Sequence, residues 1–266
     1  MVWDDCWQDT LADTASDAKD ATMVPMTLPA NEIHIWYASL DQQAEGCRLL
    51  ADAPSSDERA RASRFHFQRD RRRFLVSRTL LRVILGLYLD LEPSQVQFRY
   101  GQYGKPFLAE SLGDFGLCFN VAHSHELAVL SFARGLSIGV DLEYVRELPD
   151  AEQIAVSFFS EGENAAWRAL PADEKTEGFY NCWTRKEAFI KAVGDGLSHP
   201  LKEFRVSLAP GEPARFLSIA GDVLKASRWS LWALTPSPGY VAALAAPIPE
   251  AEKKAFRLRI LDAPAL

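Results

Sequence analysis

At 266 residues, 48% hydrophobic and 24% charged, the chain can hold one large or two small domains around a sizeable core. No apolar run approaches membrane-spanning length and no basic-then-apolar leader opens it, so a cytoplasmic protein without membrane attachment is expected. The net charge of −7 argues against a general nucleic-acid binder. Cys6, Cys47, Cys118 and Cys182 are far apart without a CxxC, which suggests reduced thiols rather than zinc or disulfides.

In chain order, Asp4, Asp5, Asp9, Asp13, Asp17 and Asp20 crowd the start, and residues 1–30 read as an acidic, mobile extension. From Asn31, IHIWYASL reads as a strand. Arg59, Arg61, Arg64, Arg69, Arg71, Arg72, Arg73, Arg78 and Arg82 then share a segment whose acid is Asp70. Such a concentration of arginine in an acidic protein suggests an anionic ligand, with a solvated basic helix face as the plain alternative. Phe74, Leu81, Leu85 and Tyr88 recur at helical spacing, and Pro93 stops that helix. VQFRY reads as a strand, GQYGKPFL as a turn, and LCFNVA and ELAVLSFA as a strand pair around His123 to His125.

In 137-SIGVDLEYVRE-147, Ile138, Val140 and Leu142 alternate with Gly139, Asp141 and Glu143, so a strand would pack one face and present paired acid on the other. Two carboxylates roughly 7 Å apart repel by about 2 kcal/mol at an effective dielectric of 20. Either they face water on an edge strand or they converge on a cation such as Mg²⁺, which takes hard oxygen ligands. A third ligand would decide.

Helical segments follow through AEQIAVSFF, GENAAWRAL and FYNCWTRKEAFIKAV, then strands FRVSL, ARFLSIA, RWSLWAL and YVAALAA. The run LGLYLDLEPSQVQFRYGQYGKPFL has a weak counterpart in VGDGLSHPLKEFRVSLAPGEPARFL. This predicts an α+β fold of two similar subdomains related by a pseudo-twofold, over 31–135 and 136–250, with a tail over 251–266. A ligand cleft is expected at their interface. In FYNCWTRKEAFIKAV, Phe179, Trp183 and Ile190 form an apolar stripe with Glu187 beside it and Lys191 one turn on. Glu187 is either half of a helix ion pair with Lys191 or the carboxylate that completes the set with Asp141 and Glu143.

The pairing of 139-GVDLE-143 with 183-WTRKEAFIK-191 resembles the two signature motifs of the 4′-phosphopantetheinyl transferases, specifically the surfactin-synthetase-activating type with two fused pseudo-repeats. The segments 103-YGKP-106 and 119-FNVAHS-124 and the arginine-rich stretch through Arg73 match in the same order. The resemblance implies transfer of the phosphopantetheine arm of coenzyme A to a serine of an acyl- or peptidyl-carrier protein, with release of adenosine 3′,5′-bisphosphate. It implies Asp141, Glu143 and Glu187 as Mg²⁺ ligands, with Glu187 or a water as the base, and Lys191 as the lysine that stabilises charge on the phosphate. Lys186, His123, Lys105 and Pro106 correspond to coenzyme-binding positions, and Arg61 and Arg73 to basic positions near the nucleotide. A monomer with one site is implied, because both halves are on one chain.

One position departs from the pattern. Many relatives have Ser just before the motif histidine, where Ala122 stands here, and one lost hydrogen bond to phosphate would weaken coenzyme binding by about 1–2 kcal/mol. Two other readings remain at this point: an Mg²⁺-dependent phosphohydrolase or nuclease, and a non-catalytic module that binds carrier proteins or nucleotides.

Overall fold

The computed structural model describes residues 25–41, 48–113, 116–194, 196 and 199–266. The acidic residues Asp4 to Asp20, with Cys6 and Cys47, lie outside the described residues.

The β-branched and aromatic run EIHIWYAS produces strand β1 (Glu32–Ser39), buried on both faces. Two short helices, α1 (Arg48–Asp52) and α2 (Ser56–Ala62), lead to the long α3 (Gln68–Leu89). That helix ends on Asp90 in the left-handed conformation (φ 55°), before Pro93 is reached, so the stop is a left-handed cap rather than the proline. A hairpin of β2 (Phe98–Tyr100) and β3 (Pro106–Leu108) follows, then the pair β4 (Leu117–Ser124) and β5 (Leu127–Arg134).

The second half repeats this plan. Strand β6 (Gly139–Tyr144) leads through α4 (Ala151–Phe158) and α5 (Glu161–Ala169) to the long α6 (Lys175–Val193). The hairpin of β7 (Phe204–Val206) and β8 (Phe216–Ile219) comes next, followed by α7 (Val223–Ala226) and the pair β9 (Ser230–Leu234) and β10 (Tyr240–Ala246). In each half the last strand of the pair lies centrally, in the orders β1-β5-β4 and β6-β10-β9. The pairings β1 with β5 and β6 with β10 are antiparallel in both.

The periodicity of the strands explains the layering. Leu130 and Phe132 of β5 pack with Leu80, Leu81 and Ile84 of α3, while Val129 and Ala133 meet Val140, Leu142 and Leu244 of the other half. Ala243 and Ala245 of β10 pack instead with Phe189 and Ile190 of α6. Each sheet therefore has its own helix on one face and the other sheet on the opposite face, a helix–sheet–sheet–helix stack in which the middle interface is apolar. At the seam β4 and β6 are tied through side chains: Val140 N–H donates to Asn120 Oδ1 at 2.9 Å and Tyr144 N–H to Ser124 Oγ at 3.1 Å.

The last residues correct the expected tail. Strand β11 (Arg257–Asp262) returns to the first half and pairs in parallel with β1, from Glu32 opposite Arg257 to Tyr37 opposite Asp262. It is an edge strand, and the arginines within RLRILD suit an exposed edge.

Gly139 sets the distance between β6 and α6. A β-carbon there would overlap the backbone of Ala188 and Ala192, so only glycine lets the helix lie this close. Gly139→Ala is expected to lower stability by about 1–3 kcal/mol through overpacking, read as a fall in the urea midpoint at unchanged m-value.

Candidate active site

Between the hairpin β2–β3, strand β4 and the C-terminal half of α6 lies an open cavity of about 540 Å³. One wall is aromatic and basic, with Arg61, Phe74, Arg78, Tyr100 and Tyr103. The other carries His123, Glu187 and Lys191. The cavity is thus lined from both halves, as expected for the subdomain interface.

Asp141 and Glu143 point from β6 toward α6, and so toward Glu187. Strand β6 is at the edge of its sheet, but this face packs against the helix, with Asp141 buried and Glu143 half-buried rather than fully solvated. Asp141 is 5% exposed, and its Oδ1 accepts from Lys191 Nζ at 2.5 Å. Glu143 accepts from Ser124 Oγ at 3.2 Å. Glu187 does not form the plain helix pair with Lys191; that ammonium is on Asp141.

Burial pushes all three carboxyls above their ordinary range, and the neighbouring acids add to this for Glu143 and Glu187. Glu187 is pushed up to about 7, by burial first and then by the charges of Asp141 and Glu143. Asp141 Oδ2 and Glu187 Oε1 are buried acceptors without a protein partner. Among the described residues no three His, Cys, Asp or Glu side chains are drawn tightly enough to enclose an ion as they stand. The donor set nevertheless fits a hard divalent cation: all oxygen, mutually repelling, with two lone acceptors left open.

His123 stands on the cleft wall. Desolvation holds its imidazole below the ordinary range, with the charges of Lys191 and Arg61 adding to the effect. Arg61 also lies over the Phe74 ring at 5.5 Å. Lys105 and Pro106 line the cavity, but the Lys105 ammonium donates to the carbonyls of Ile138 (3.3 Å), Lys191 (2.5 Å) and Ala192 (3.1 Å). Burial pulls it down to about 8.

Three expectations are corrected. Lys186 is not at the coenzyme face: it is fully buried, 2.8 Å from Glu163, and donates to the carbonyls of Leu201 and Phe204 at 2.7 Å each. One position before Glu187 on a helix is a rotation of about 100°, which turns Lys186 into the core. Arg73 is outside the cavity lining and makes a two-pronged bond with Asp41, 2.7 and 2.5 Å. The arginine-rich segment is also partly neutralised from within, because Arg78 and Arg82 converge on the buried Glu58 at 2.5 and 2.8 Å. Glu58 lies just before the segment in sequence and reaches it only because α2 folds back on α3.

Sequence reasoning missed Tyr100 and Tyr103 as cleft walls and Asn120 as the tie between β4 and β6. Both signals were present, since Tyr103 opens YGKP and Asn120 sits within FNVAHS.

Comparison with known proteins gives the family. Residues 137–245 match the model of the 4′-phosphopantetheinyl transferase superfamily, and residues 36–134 match the model described as 4′-phosphopantetheinyl transferase, N-terminal. The 4′-phosphopantetheinyl transferase HetI of Nostoc sp. is 43% identical over 220 residues, 83% of this chain and 90% of that protein. The 4′-phosphopantetheinyl transferase Sfp of Bacillus subtilis is 36% identical over 154 residues, 58% of this chain and 66% of that protein. A solved structure, the Chronobacterium ammoiniagenes apo-ACPS structure, matches over 42% of this chain and 94% of that one, at 21% identity and a TM-score of 0.31. With a relative this similar along nine-tenths of its length, the chain belongs to the 4′-phosphopantetheinyl transferase superfamily and is an enzyme of that class.

Proposed function

We propose that this transferase moves the phosphopantetheine arm of coenzyme A to a serine of an acyl- or peptidyl-carrier protein in the cleft between its halves, with Mg²⁺ held by Asp141, Glu143 and Glu187. The observation that carries the metal assignment is the pair of buried, unpartnered acceptors Asp141 Oδ2 and Glu187 Oε1, beside a cavity whose far wall is basic and aromatic. When bound there, a divalent cation supplies charge neutralisation for a pyrophosphate and inverts the electrostatics that otherwise push the carboxyls upward.

The chain's own residues then have distinct tasks. Arg61 and His123 bind phosphate oxygens of the coenzyme, and the Tyr100 and Tyr103 rings give its base a flat surface. The serine oxygen forms a new bond to phosphorus while the bond from phosphorus to the bisphosphate oxygen breaks. Glu187 takes the serine proton, directly or through a water. Lys191 stabilises the negative charge that grows on the phosphoryl oxygens. Lys186 has no part in this set.

A single chain carries both walls of the cleft, so it acts as a monomer. It is proposed to act on carrier domains in the cytoplasm; no helix among the described residues is long and apolar enough to cross a membrane. Ala122 is buried and offers no hydroxyl at the coenzyme.

The test is intact mass spectrometry of an apo carrier domain incubated with the protein, coenzyme A and Mg²⁺. The expected result is a gain of about 340 Da, the mass of one arm, that EDTA prevents and added Mg²⁺ restores. No gain across acyl- and peptidyl-carrier domains would refute the proposed reaction; a gain indifferent to EDTA would refute the metal.

A further inference from the structure

Lys105 lies in the turn between β2 and β3, which Gly104 closes with φ 79°. From there its side chain crosses out of the first half to the end of α6. An ammonium has three N–H groups, and here three backbone carbonyls, those of Ile138, Lys191 and Ala192, receive them. None remains for a phosphate.

Two of the acceptors, the carbonyls of Lys191 and Ala192, belong to the place where a helix needs such donors. The last four carbonyls of an α-helix have no partner within it, and a cation there also meets the negative end of the helix dipole. Ser137 Oγ donates to the same Ala192 carbonyl at 2.5 Å, so the final turn of α6 is clamped by two side chains, both from outside the helix. That turn carries Lys191, and Glu187 is one turn before it.

We infer that Lys105 is a positioning residue: it latches the β2–β3 hairpin, one wall of the cleft, to the last turn of α6, and thereby fixes Lys191 and Glu187 relative to the coenzyme, rather than contacting the coenzyme itself. This rests on the proposed reaction only for its kinetic consequence. The hairpin supplies Tyr100 and Tyr103 and the helix supplies the acid–base groups, so the latch sets the gap between what binds and what reacts. A displacement of about 1 Å at that gap is worth as much as 100-fold in rate.

The experiment compares wild type with Lys105→Met, which keeps the chain length but has no N–H, and with Lys105→Arg and Ser137→Ala. With coenzyme A varied in the carrier assay, Lys105→Met is expected to lower kcat by about 10–100-fold while KM for coenzyme A moves less than about threefold. Lys105→Arg, which retains charge and donors, should recover a large part of kcat. Ser137→Ala should lower kcat by a few fold in the same sense, and stands in if Lys105→Met does not fold. Hydrogen exchange of the peptide spanning 188–194 is read in parallel and needs no activity; it should be faster in Lys105→Met or Ser137→Ala than in wild type. A tenfold rise in KM with kcat preserved would make Lys105 a coenzyme ligand and overturn the inference, as would unchanged exchange at the end of α6. Wild type that transfers nothing to any carrier, with exchange still accelerated in the variants, would sink the proposed reaction and leave the latch standing.

Discussion

Glu187→Gln is expected to reduce transfer by about 1,000-fold or more while leaving the fold intact, because one side chain is asked to supply both a metal ligand and a proton acceptor. The substitution is nearly isosteric. It removes one negative charge and the carboxylate's capacity to take a proton. Burial and two neighbouring acids disfavour its carboxylate, so the amide should fold at least as well as the acid. Circular dichroism and the urea midpoint should be unchanged or slightly raised, and the mass shift of the carrier should disappear. Asp141→Asn tests the same site with a different structural consequence, because it takes the charged partner from Lys191. It should also abolish transfer. Wild-type rates in either variant would remove that residue from the ligand set.

The second large effect is on stability. Lys186 and Glu163 form a fully buried pair, 0% and 1% exposed, at 2.8 Å. Glu163 also caps α5 through Ser160 and accepts from Val206 N–H at 2.8 Å, while Lys186 holds two carbonyls around the start of β7. The network joins α5, α6 and β7. Removing one member leaves a buried charge uncompensated, and Lys186→Met is expected to cost about 3–5 kcal/mol. The double variant Lys186→Met, Glu163→Gln should cost less than the sum of the singles, because neither then strands the other. Urea unfolding measures both. In folded Lys186→Met protein, KM for coenzyme A should stay within about twofold of wild type, since the side chain faces away from the cleft. A large rise in KM without loss of stability would show that the resemblance-based role of Lys186, and not its buried placement, was right.

The case of Lys186 shows how far a linear reading reaches. In WTRKEAFIK the two lysines are equivalent as charges, and both matched positions of a family motif. Helix geometry separates them: Glu187 and Lys191 are four apart and share a face, whereas Lys186 is turned away. The arginine-rich segment shows the same limit. Arg59 to Arg82 read as a basic stretch with Asp70 as its acid, yet Glu58 and Asp41 supply the charges that occupy Arg78, Arg82 and Arg73. Ion pairs between elements depend on how those elements pack, which local spacing does not encode.

What the sequence determined by itself is the order of the long helices and main strands, the duplicated α+β plan and the enzyme family, whereas the short α1, α2 and α7 and the strands β3 and β11 did not show in it. Periods of 2 and 3.6 mark which faces must leave water, and a duplicated order marks two halves that bury those faces together. Only the tertiary structure decided that the acidic face of β6 lies under α6 rather than in solvent, that β11 returns to β1, and which basic residues stay free for a ligand. The physical reason is the same in each case. Hydrophobic burial is written locally, residue by residue, whereas parallel strand pairing, helix-end capping by Lys105 and the partners of buried charges arise between segments far apart in the chain, where closure of the fold sets the distances.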